Sequence, residues 1–98
     1  MRFEVYIAEK ARSQLTEIEQ NPAHSKRLKA VGKAIAYLQT NPRHPGLKTH
    51  KYSSMIGPNG EEVFEAYAEN QTPGAYRIFW CYGPSKNEIT ILAITPHP

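Results

Sequence analysis

The sequence predicts an α+β fold in which one strand is followed by two helices and then by an antiparallel meander. We expect the helical hairpin to pack on one face of a four- to five-stranded sheet. Apolar residues alternate with polar ones in the first segment, recur at helical spacing up to residue 40, and alternate again beyond residue 50. Clusters of proline and glycine separate the later segments, as turns do in a meander.

The first element is predicted to be a half-buried strand over residues 2–7. Phe3, Val5 and Ile7 alternate with polar or charged residues, so they share one side of an extended chain. We expect this strand to insert into the sheet next to one of the late strands.

Two helices follow the first strand. Ala8, Ala11, Leu15 and Ile18 recur at helical spacing, and this helix should end near Asn21 and Pro22. A second helix is predicted over residues 23–40, with its apolar stripe formed by Leu28, Val31, Ile35 and Leu38. Pro42 ends it, because the residue before a proline avoids helical geometry. Each helix has a single apolar stripe, so both must pack against the sheet.

The remaining half of the chain is predicted to be β-structure. We expect strands over residues 51–56, 62–68, 75–82 and 88–95, after a loop at 43–50. The intervening segments contain Gly-Pro-Asn-Gly, Thr-Pro-Gly and Gly-Pro-Ser, which are favoured in tight turns.

The composition indicates one small globular domain over residues 1–98, because 98 residues suffice for a single core. No run of about 18 apolar residues is present, so a membrane span is not expected. The single cysteine, Cys81, fits a reducing, cytoplasmic location and is expected to be a core residue.

The positive charge is concentrated in the loop before the second predicted strand. The chain has a net charge of +3. Arg43, Lys48 and Lys51 lie there without a neighbouring acid, together with His44 and His50. Such a cluster could bind a polyanion, but the charge alone favours a solvated loop that keeps the chain soluble.

Arg77 is the anomalous residue of the predicted meander. Side chains alternate along this strand, so Arg77 points to the other side of the sheet from Tyr76, Ile78 and Trp80, away from the helices. Glu65 and Tyr67 should share that face. Arg77 therefore has two interpretations: a structural cross-strand pair with Glu65, or a phosphate-binding guanidinium.

The surrounding residue types favour metal-independent ribonuclease chemistry. If the second strand pairs with the third, the basic loop should rim the open sheet face, and the last strand should bring His97 to the same edge. Histidine and arginine can supply the general base, the general acid and the cation that 2′-hydroxyl attack on RNA requires. His44, His50 and His97 lack the ordered spacing of a metal site, so neither a metal nor a cofactor is expected.

Four segments of the sequence resemble blocks of the RelE/ParE superfamily of toxin–antitoxin toxins. They are NPRHPGLK at 41–48, VFEAY at 63–67, AYRIFW at 75–80 and ITILAI at 89–94. The resemblance spans nearly the whole chain, and the order of the short blocks is its most specific feature.

This resemblance implies a site and partners. Many RelE-like members cut mRNA on the ribosome without metal, whereas ParE-like members inhibit DNA gyrase, and a small antitoxin neutralises both. The family's key arginine falls on Arg77, with Glu65 and Tyr67 in support, although Tyr67 stands where the family has a second arginine. His97 and His50 are the candidate acid and base. The expected RNA-binding residues are Arg43, Lys48 and Lys51.

The resemblance therefore predicts a ribosome-dependent mRNA endoribonuclease that inhibits translation. A gyrase inhibitor without catalytic activity, or an inactive member that binds only an antitoxin-like partner, remains an alternative. A homodimer is a further expectation.

Overall fold

The computed structural model describes residues 2–97 and confirms the predicted order of elements. A 3₁₀ turn precedes α2, and another precedes β2. The strands and helices are β1 (Glu4–Ile7), α1 (Glu9–Gln20), α2 (Ser25–Thr40), β2 (His50–Ile56), β3 (Glu62–Tyr67), β4 (Tyr76–Tyr82) and β5 (Glu88–Pro96).

The strands form one five-stranded sheet in the order β1-β5-β4-β3-β2. The meander from β2 to β5 is antiparallel, and β1 pairs with β5 in parallel. The prediction that the first strand inserts beside a late one is therefore confirmed. This arrangement makes β1 and β2 the two edges of the described sheet.

The helices end where local chemistry requires it. The Asn21 side chain accepts a hydrogen bond of 3.0 Å from the Ala23 N–H, which forms the 3₁₀ turn Pro22–His24 and delays the start of α2 to Ser25. Pro42 follows the Asn41 cap of α2, and its fixed ring lacks the N–H that another helical turn would need.

The main core lies between the helices and one face of the sheet. Trp80, Ile78 and Leu38 are among its largest fully buried side chains. The predicted bulky face of β4 therefore does pack under the helices, where it removes the most apolar surface from water. The buried members are Ala11, Leu15, Ile18, Val31, Ala34, Leu38, Leu47, Ala66, Ile78, Trp80, Ile89, Ile91 and Ile94.

A smaller apolar cluster lies on the opposite face of the sheet. Val63, Phe79 and Ala93 are buried there, and the Tyr52 ring lies 4.8 Å from the Phe79 ring. Cys81 in the same strand is also buried, and this burial raises the pKa of its thiol. The thiol therefore stays protonated, as expected for a core residue rather than a nucleophile. No helix within residues 2–97 is long and apolar enough to cross a bilayer.

We predict that Ile78→Ala lowers the free energy of unfolding by about 2–5 kcal/mol, because Ile78 is fully buried in the central strand β4 and truncation leaves a cavity. The matched change Ile56→Ala should alter it by only about 0.5 kcal/mol, since Ile56 is 74% exposed on the edge strand. Urea unfolding of both variants measures the difference. Equal effects would contradict the assigned core.

Candidate functional site

A buried carboxylate, Glu65, lies at the centre of a polar cluster on the open face of the sheet. Its side chain is only 1% exposed. The Nε2 atom of His50 lies 2.7 Å from one carboxylate oxygen, and the Nδ1 atom of His97 lies 2.6 Å from the other. The His97 contact is a hydrogen bond, whereas His50 approaches the second oxygen, Oε1, which has no hydrogen-bond partner among residues 2–97.

The two histidines reach Glu65 from distant parts of the chain. His50 is directly opposite Glu65 in the pairing of β2 with β3. His97 follows β5, and its backbone N–H donates a hydrogen bond of 2.9 Å to the Ala75 carbonyl, which anchors the tail. Both imidazoles remain about half exposed, at 50% and 52%. A buried carboxylate therefore orients two histidines that a ligand can reach.

Arg77 lies beside this carboxylate and is held by its surroundings. Arg77 is paired with Tyr67 in the register of β4 with β3. Its guanidinium carbon lies 3.7 Å from the centre of the Tyr67 ring. Its Nη1 atom donates to the backbone carbonyls of Glu69, at 2.7 Å, and Tyr76, at 3.3 Å. These contacts fix the plane of the guanidinium, so its position does not depend on Glu65.

The contact between Arg77 and Glu65 is long. The Nε atom lies 3.8 Å from the nearer carboxylate oxygen, and it is buried without a hydrogen-bond partner among residues 2–97. The proposed structural pair therefore exists as a loose ion pair rather than as a bidentate salt bridge. One charge-bearing donor of Arg77 remains unsatisfied beside the two histidines.

Lys48 is the loop cation that approaches this cluster. Its Nζ atom lies 5.8 Å from the centre of the Tyr67 ring, and the His50 ring lies 6.2 Å from the same ring. Lys48 ends the 3₁₀ turn Pro45–Leu47 with a left-handed backbone (φ 47°). The structure thus brings together Arg77, Glu65, Tyr67, His50, His97 and Lys48, which we call the Glu65 cluster.

The expectation that the whole basic loop rims this face is wrong for three residues. Lys51 follows His50 and so points to the other face, where its Nζ atom lies 3.1 Å from a carboxylate oxygen of Glu62. Arg43 and His44 instead line a cleft beside Trp80, on the helical side of the sheet. The His44 ring is stacked on Tyr37 at 3.8 Å.

Sequence analysis missed the backbone contribution of Glu69. Its carbonyl holds Arg77, while its carboxylate accepts from Arg27 Nε and from the Tyr76 N–H, both at 3.0 Å. A backbone acceptor carries no signal in the side-chain pattern, so no motif could have indicated it. Within residues 2–97, no three histidine, cysteine or acidic side chains are arranged to hold a metal ion.

Solved structures of bacterial and archaeal toxins share this fold. RelE in the RelE–RelB complex from Pyrococcus horikoshii OT3 is 16% identical, with a TM-score of 0.67 over 98% of this chain and 96% of that one. The YoeB/ParE toxin from Agrobacterium tumefaciens is 7% identical, with a TM-score of 0.71 over 98% and 100%.

Two structures of YoeB from Staphylococcus aureus also have this fold. It is 15% identical over 100% of both chains, with a TM-score of 0.64 as a dimer and 0.61 in a heterotetrameric YoeB–YefM toxin–antitoxin complex. No model of a protein family matches the sequence, and no curated protein matches it. The chain therefore has the fold of the RelE/ParE toxins, as the resemblance of its sequence blocks predicted.

We predict that Glu65→Gln lowers the free energy of unfolding by about 1–3 kcal/mol. The change leaves the buried Arg77 without a counter-charge and turns an amide NH₂ towards one of the two histidines. Urea unfolding at neutral pH measures this loss.

Glu62→Gln is the matched control for this experiment. It removes a carboxylate from the exposed pair with Lys51, which should cost less than about 1 kcal/mol. If the two variants unfolded at the same urea concentration, the Glu65 cluster would not be a stabilising network.

Proposed function

We propose that this chain is the toxin of a type II toxin–antitoxin system and cuts mRNA on the ribosome by 2′-hydroxyl attack. The observation that carries this proposal is the buried Glu65, which orients two accessible histidines beside Arg77. Two accessible histidines and an arginine can supply the acid, the base and the cation that cleavage of RNA needs.

The reaction divides among these side chains as follows. A general base takes the proton of the ribose 2′-hydroxyl, whose oxygen forms a bond to phosphorus. The bond from phosphorus to the 5′-oxygen breaks, and a general acid protonates that leaving oxygen. His50 and His97 are the candidate base and acid, because each is half exposed and held by one oxygen of Glu65.

Arg77 is proposed to stabilise the charge that develops on the phosphate oxygens. Its position is set by Tyr67 and by backbone carbonyls, so it needs little rearrangement as the charge appears. The guanidinium has five N–H donors, and those beyond the two carbonyl contacts of Nη1 are proposed to serve the phosphate oxygens.

The loop cations are proposed to bind the RNA backbone. Lys48 would contact phosphates next to the Glu65 cluster, and Arg43 and Lys51 would contact more distant ones, since they lie outside it. Such contacts supply most of the affinity for a polynucleotide and position the strand.

A cognate antitoxin is the proposed protein partner, with a homodimer as a further assembly. The similarity to RelE in a complex with RelB and to YoeB in a toxin–antitoxin complex supports the first, and the YoeB dimer supports the second.

The proposed site of action is the ribosome, in the cytoplasm. Gyrase inhibition is not favoured, because it gives no role to two histidines on a shared carboxylate.

We predict that His97→Ala slows mRNA cleavage by about 10²–10⁴-fold, since it removes a group proposed to transfer a proton. Induction of this variant in a heterologous bacterium should no longer arrest growth, and newly formed mRNA 5′ ends should disappear. The matched variant His24→Ala should behave like the wild type, because His24 lies in the 3₁₀ turn between the helices, outside the Glu65 cluster.

Two outcomes would refute the nuclease, and a third would refute the roles given to the histidines. Growth arrest with intact mRNA and an induced DNA-damage response would indicate a gyrase inhibitor. No arrest by the wild type would indicate an inactive member of the fold. Unchanged cleavage by His97→Ala and by the double variant with His50→Ala would show that other groups perform the chemistry.

We further predict that Arg77→Lys reduces cleavage by about 10²–10³-fold while the chain stays folded. Lysine retains the positive charge, but it lacks the planar fork that stacks on Tyr67 and offers several N–H donors in one plane. Circular dichroism and thermal unfolding report on the fold, and primer extension on mRNA reports on cleavage. Wild-type cleavage by Arg77→Lys would show that charge alone suffices.

A further inference from the structure

A cleft lies on the helical side of the sheet and shares Lys48 with the Glu65 cluster of the other face. It is a cleft of about 390 Å³ between the loop after α2 and the ends of β3 and β4. We call it the loop cleft. Its lining residues are Pro42, Arg43, His44, Pro45, Lys48, Thr49, Phe64, Trp80 and Tyr82.

Two polar atoms of the lining are buried and lack hydrogen-bond partners within residues 2–97. They are the indole Nε1 of Trp80, whose side chain is almost fully buried, and the hydroxyl of Thr49. A buried donor without a partner costs free energy unless a ligand or water satisfies it. Both residues line the loop cleft, with these two atoms behind its surface.

The rim of the loop cleft is cationic. Arg43 and Lys48 contribute two full charges, and neither forms an ion pair among the described residues. No acidic side chain in the range 2–97 belongs to the lining. The cleft therefore favours an anionic group at its mouth.

The wall of the loop cleft is aromatic. The Phe64 and Trp80 rings are stacked at 5.0 Å, and Tyr82 meets Trp80 edge-on at 4.9 Å. Tyr82 is 41% exposed, so part of its ring is open to a ligand. Partly exposed rings beside free cations are the combination that binds single nucleotides, because every base has a flat face to stack.

We infer that the loop cleft binds one nucleotide, with its base against the aromatic wall and its phosphate at Arg43 and Lys48. Lys48 also approaches Tyr67 on the other side of the sheet edge, at 5.8 Å from its ring centre. This inference rests on the proposed function, and it assigns the cleft to a nucleotide of the RNA strand beyond those at the cleaved bond.

The test uses Trp80, which is the single tryptophan of the chain. Titration with guanosine or adenosine 5′-monophosphate should change its fluorescence saturably and shift the NMR signal of its indole N–H. Arg43→Ala should weaken this binding at least tenfold. The matched control Arg12→Ala, an exposed arginine on α1, should leave it unchanged.

The Glu65 cluster provides the independent control. His97→Ala should bind the nucleotide as the wild type does, so a failed nuclease would leave this result standing. The inference is overturned if the wild type shows no saturable change, if Arg43→Ala and Arg12→Ala bind alike, or if inorganic phosphate binds as tightly as the nucleotides. Tighter binding of a tetraglutamate peptide would overturn it as well and would assign the cleft to an acidic protein segment.

Discussion

The open face of this protein depends on one constraint: the carboxylate of Glu65 is withdrawn from water and must have partners. An unpaired buried charge is costly, so the surrounding strands must deliver donors to it. The tail after β5 supplies a hydrogen bond through His97, while β2 brings His50 to 2.7 Å and β4 brings the Arg77 guanidinium to 3.8 Å. The groups that surround the buried Glu65 carboxylate are therefore the same groups that form the candidate active site.

The two faces of the sheet have different roles. The helical face buries a continuous apolar core, which supplies most of the driving force for folding. The other face buries a smaller apolar patch around Phe79, and the charged pair of Glu65 and Arg77 lies on the same face. Because the helices leave that face uncovered, His50 and His97 remain about half exposed there, so a dense core and a polar cluster lie on opposite faces of one sheet.

Alternation along single strands predicted much of the site. Arg77, Glu65 and Tyr67 lie on the expected face because side chains alternate strictly within β3 and β4. The same rule, applied to the loop, would have separated Lys51 from His50. Arg43 could not be placed in this way, since the 3₁₀ turn Pro45–Leu47 redirects the chain between it and β2. Predictions were therefore reliable within strands and failed where the backbone leaves them.

The sequence by itself determined the order of elements, the apolar stripes of the helices and the outward position of Arg77, because these follow from local periodicity. Only the tertiary structure decided which distant residues meet. A bulge in β2 shifts its register: counting on from the Ile56–Glu62 pair would place His50 opposite Ala68, whereas it lies opposite Glu65. That irregularity, together with the anchoring of His97 on Ala75, arises from long-range pairing that no local pattern encodes.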